Sequence, residues 1–89
     1  MTTLRQEILK RYYEDVNDYV PQGLFGTITM ASQIVLPIVV GFQGVQIDGV
    51  KQRLIELARL KGIELTDEQL ERGTAYVQWV LAELRKEES

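Results

Sequence analysis

Residues 21–47 read PQGLFGTITMASQIVLPIVVGFQGVQI and contain no charged side chain, although 26% of the 89 residues are Asp, Glu, Lys or Arg. The last charge before the stretch is Asp18 and the first after it is Asp48. Such a run is a membrane segment, a buried core or a surface for another protein. Its internal pattern is open to two readings. Leu24, Ile28, Ala31, Val35 and Val39 keep a helical spacing. The β-branched residues Ile34, Val35, Ile38, Val39, Val40 and Val45, followed by Gln43-Gly44, also suit a hairpin over 34–47. The helical flanks supply no other strands, so the expectation is a helix over 24–41 with a break at Pro37, where the ring removes a donor.

The flanks are plainer. Leu4, Ile8, Tyr12, Val16 and Tyr19 form one apolar stripe, with Thr2 or Thr3 as the cap and Pro21 as the stop. This predicts a helix over 3–20. Beyond Asp48, Val50, Leu54, Leu57 and Ala58 form a face that Ile55 and Leu60 widen. Gly62 is placed to end that helix in the left-handed region. Thr66 and Gln69 have capping-box spacing, with Leu65 and Leu70 at the staple positions. Asp67 and Glu68 open the next helix and Arg85 and Lys86 close it, in agreement with the macrodipole. Leu70, Val77, Leu81 and Leu84 mark its buried side, extended by Tyr76, Trp79 and Val80. Helices over 49–61 and 66–86 follow, joined by a short connection that makes them neighbours. The expectation is one all-α domain over 1–89, of three to four helices.

Composition narrows the function. The chain has no Cys and no His. This removes disulfides, thiolate metal sites, and Ser–His and Cys–His nucleophile systems. The formal net charge of −3 and the interleaving of basic with acidic residues argue against nucleic-acid binding. The charged start, MTTLRQEILKRYYED, does not read as a secretory signal. Glu14 and Asp18, with Asp15 between them, could face a hard cation, but they read better as a solvated acidic face. Gly41-Phe42-Gln43-Gly44 has the spacing of a KH-type loop without its basic residues and reads as a turn.

Gly23-Leu24-Phe25-Gly26, followed by Leu36-Pro37-Ile38-Val39-Val40, resembles two classes of membrane-active amphiphile. One is the glycine-rich opening of viral fusion peptides. The other is the proline-hinged amphibian host-defence peptides. That resemblance implies insertion into or onto a bilayer. It departs at the polar face, where Ser32 and Gln33 stand instead of Lys or His. The same four residues match one copy of a nucleoporin GLFG repeat.

A chain this short struggles to cover three amphipathic stripes and an apolar central helix by itself. The expectation is therefore a non-enzymatic assembly or adaptor subunit, in a complex of phage or viral type. It would bind a protein partner or further copies of itself through Leu24, Phe25, Ile28, Val35, Val39, Phe42, Tyr76 and Trp79. No catalytic residue, cofactor, metal or nucleic acid is expected, and the location is cytoplasmic or virion-associated. The alternative is a single-pass or interfacial, holin-like membrane protein using residues 24–45.

Overall fold

The computed structural model describes residues 3–16, 18–25 and 31–88, with backbone alone for some of these. Its elements are α1 (Leu4–Arg11), a π-helical segment (Tyr12–Val16), α2 (Gln22–Phe25), α3 (Ala31–Gly41), a 3₁₀ turn (Ile47–Gly49), α4 (Val50–Leu60) and α5 (Asp67–Glu88). The fold is a small all-α domain, and no strand occurs among the described residues.

α1 begins at a reciprocal cap. The Thr3 hydroxyl accepts from the Gln6 N–H at 3.2 Å, and the Gln6 amide oxygen accepts from the Thr3 N–H at 3.0 Å. The stripe expected over 3–20 is present but changes geometry along its length. Successive four-residue steps drift by roughly 40° each on an ideal α-helix. The wider π turn at Tyr12–Val16 takes up that drift. Ile8, Tyr12, Val16 and Val20 are all buried as a result. Val20, not Tyr19, completes the stripe. Tyr19 is half-buried instead, with the Arg72 guanidinium 4.8 Å from its ring centroid.

The helix expected over 24–41 is described only at its two ends. Leu24 belongs to α2, residues 26–30 lie outside the described set, and α3 begins at Ala31. The break expected at Pro37 does not occur, because α3 runs through it to Gly41. A mid-helix proline costs about 3 kcal/mol. Ile38 and Phe42, one turn apart and fully buried, offset this, since each contributes about 1.5–3 kcal/mol on burial. Gly44 supplies a positive φ of 78° to the turn after α3, and the Val45 N–H donates to the Phe42 carbonyl at 3.0 Å. The turn lies where a hairpin would need it, but helices flank it on both sides.

α4 ends in a Schellman motif. Gly62 has φ 69°, the Ile63 N–H donates to the Ala58 carbonyl at 2.8 Å and the Gly62 N–H to the Arg59 carbonyl at 3.1 Å. Thr66 then caps α5: its hydroxyl accepts from the Gln69 N–H at 3.1 Å, while its own N–H donates to Gln69 Oε1 at 3.0 Å. α4 and α5 pack together, as α1 and α3 do. Val50, Leu54 and Ala58 of α4 meet Tyr76, Val77 and Val80 of α5 in one core with the N-terminal stripe, Leu24, Ile38 and Phe42. Leu60, expected to widen the α4 face, is 79% exposed, because Ala58 and Ile63 close that end of the helix.

Side chains of the second half hold the first by its carbonyls. Arg53 Nε donates to the Gly41 carbonyl at 3.0 Å, placing a cation at the C-terminal end of α3. Lys61 Nζ donates to the Gly23 carbonyl at 2.9 Å, and Gln78 Nε2 to the Ile47 carbonyl at 3.0 Å.

Candidate interaction surface

α3 has two faces of the same chemistry and opposite fate. Ile38 and Phe42 point into the core. Leu36 and Val40, also four apart, point outward at 63% and 70% exposure, and Val39 beside them is 37% exposed. No ionisable residue lies between Pro21 and Ile47, so the exposed face carries no formal charge of its own. Beside Val39 it runs into a cleft of about 320 Å³ between the end of α3, the following turn and the end of α5. Val39, Phe42, Val45, Leu81 and Leu84 line the apolar side, and Gln43, Gln46 and Arg85 supply polar groups. Apolar centre and polar margin is the usual anatomy of a protein interface.

The residues expected to bind a partner divide into four groups. Val39 lies on this face. Leu24, Phe42 and Tyr76 are buried in the chain's own core; of these Phe42 reaches only the floor of the cleft beside Val39. Trp79 is half-buried, with the Arg11 guanidinium 4.6 Å from its ring centroid. Ile28 and the side chains of Phe25 and Val35 lie outside the described residues. Leu36, Val40, Leu81 and Leu84 were not anticipated. The sequence does hold a hint of Leu36 and Val40: Ser32 and Gln33 stand four and three positions before Leu36, and Gln33 seven before Val40, the helical spacing of one face.

The buried aromatics are structural. Tyr12 packs edge-on against Tyr76 and Tyr13, with ring centroids 5.8 Å apart in both pairs. Burial, and then the neighbouring Tyr13, push the Tyr12 phenol up to about 12. Tyr76 is raised too, by burial and then Tyr12, against a smaller lowering from Arg11. Both phenols stay neutral at ordinary pH, the wrong state for a general base. Glu14 and Asp18 are exposed. Among the described residues, no three acidic side chains gather into a cation site, and no helix is long and apolar enough to cross a membrane.

Fold and surface together define a small helical domain with an uncharged, partly uncovered helix. Comparison of the chain with protein-family models, with curated proteins and with solved structures finds no match in any of the three.

Proposed function

We propose that the chain is a non-enzymatic assembly or adaptor subunit that docks into a larger protein complex through the exposed face of α3. The observation that supports this reading is the exposure of Leu36 and Val40 on a helix whose Ile38 is fully buried. Apolar area left in water forgoes about 25 cal/mol per Å², and covering Leu36, Val39, Val40 and the adjoining cleft recovers it. The occupant is a protein, either a different chain or further copies of this one. A small, acidic subunit without Cys or His suits a phage or viral assembly.

The test uses Leu36→Asp and Val40→Asp. Both side chains are largely exposed, so each variant should keep its helical circular dichroism. Wild-type protein from the unpelleted lysate should run as an assembly or with a bound partner by light scattering, and each variant should lose that association. Wild type that associates no more than the variants would overturn the reading. Wild type found only with the membrane pellet would favour the interfacial, holin-like alternative.

A further inference from the structure

The 3₁₀ turn before α4 holds an Asp-Gly pair. Of the four aspartates, Asp15, Asp18 and Asp67 precede Val16, Tyr19 and Glu68, and Asp48 precedes Gly49. A glycine leaves its backbone nitrogen unhindered and free to turn, which attack on the neighbouring side-chain carboxyl requires. Asp48 is exposed, so water reaches that carboxyl. The fold itself does not demand a glycine here. Gly49 has φ −93° and ψ 1°, a negative φ open to other residues, and a Cβ would meet Val45 Cγ1 at an ordinary 3.5 Å. Two hydrogen bonds hold the pair in place. The Gly49 N–H donates to the Gln46 carbonyl at 2.9 Å, and Gln78 Nε2 of α5 donates to the Ile47 carbonyl at 3.0 Å.

We infer that Asp48-Gly49 is a site of spontaneous backbone isomerisation, and that Gln78 restrains it. When the turn opens, the Gly49 nitrogen bonds to Asp48 Cγ. The proton of that nitrogen and the hydroxyl of the carboxyl leave as water, and a succinimide ring closes. Water then adds to one of the two ring carbonyls. Opening at the side-chain carbonyl restores aspartate. Opening at the main-chain carbonyl leaves isoaspartate, in which the chain runs through Cγ. The composition is unchanged, and water is the one further reactant. The folded turn slows the first step because the nitrogen is engaged with Gln46. A 3₁₀ bond has poor geometry, so local opening of the turn sets the rate. The extra backbone carbon falls directly before α4, whose Val50 is fully buried, and the product packs α4 less well against α5. Neither the α3 face nor its partner enters this chemistry.

The test incubates the full chain at physiological temperature and near-neutral pH for weeks, then digests it. The peptide that carries Asp48 is followed for a second chromatographic form of equal mass, assigned as isoaspartate by electron-transfer fragmentation. In the wild type that form should accumulate at Asp48 ahead of Asp15, Asp18 and Asp67. Gly49→Ala should keep the helical circular dichroism and form it roughly tenfold more slowly, because a Cβ hinders the nitrogen and narrows its backbone freedom. Gln78→Glu keeps the shape of the side chain and loses the donor. It should form isoaspartate about fivefold faster, since one restraining hydrogen bond is gone. Thr66→Ala loosens the start of α5 without touching the turn, and its rate should stay near that of the wild type. Absence of isoaspartate at Asp48 overturns the inference, and so does a Gly49→Ala chain that isomerises as fast as the wild type. A Gln78→Glu rate no higher than that of Thr66→Ala overturns the role of Gln78.

Discussion

Gly73 stands where two buried side chains, Leu54 and Val20, press close to the backbone of α5. A Cβ at this position would lie 3.0 Å from Leu54 Cδ2 and 3.2 Å from Val20 Cγ2. Helix propensity favours replacing it, by about 1 kcal/mol for Ala. The crowding opposes that, and for a large side chain it wins. Gly73→Leu should lower stability by about 3 kcal/mol in a denaturant melt, the range of overpacked cores. A Gly73→Leu chain as stable as wild type would show that α4 and Val20 do not press on α5 here. Tyr12 gives a second prediction at this scale, in pH. Its folded pKa is about 12 against an ordinary 10.0, so the folded chain keeps a proton that the unfolded chain gives up. The stabilisation is complete below pH 10 and is lost as pH rises toward about 12. At about 1.4 kcal/mol per unit, the loss due to Tyr12 is about 3 kcal/mol. Tyr12→Phe should flatten that part of the stability-against-pH curve, and an equally steep curve in the variant would refute the assignment.

At the scale of elements, the caps carry testable energy. Thr66→Ala removes the acceptor of the Gln69 N–H and should cost about 1 kcal/mol. Unchanged thermal stability would mean that α5 starts elsewhere. This cap, the Gly62 turn and both C-terminal helices were legible in the sequence, because each rests on contacts within a few residues. α1 was legible to its π segment, where the unbroken spacing of four already departs from 3.6 residues per turn. The passage through Pro37 was not legible. It depends on Ile38 and Phe42 having a core to enter, and that core is built by residues as distant as Val80. The exposed side of α3 was legible in part, because Ser32 and Gln33 share a helical spacing with Leu36 and Val40.

At the scale of the molecule, the uncharged stretch is divided between uses that its letters do not distinguish. Leu24, Ile38 and Phe42 complete a core shared by both halves of the chain, while Leu36 and Val40 remain outside it. The expectation of more apolar surface than one chain can cover was aimed at the whole stretch, and among its described side chains the large exposed apolar ones are Leu36, Val39 and Val40. The bonds that join the halves have a consequence for mutational drift. Arg53, Lys61 and Gln78 reach the carbonyls of Gly41, Gly23 and Ile47, and a carbonyl is a group that every residue offers. Replacing Ile47 or Gly23 leaves its acceptor in place, whereas replacing Arg53, Lys61 or Gln78 removes the donor. In any lineage descended from this chain, the joint is therefore remembered by the C-terminal partners, while Gly23 and Ile47 are free to change their names; Gly41 is less so, since a Cβ there would meet Leu57 at 3.3 Å.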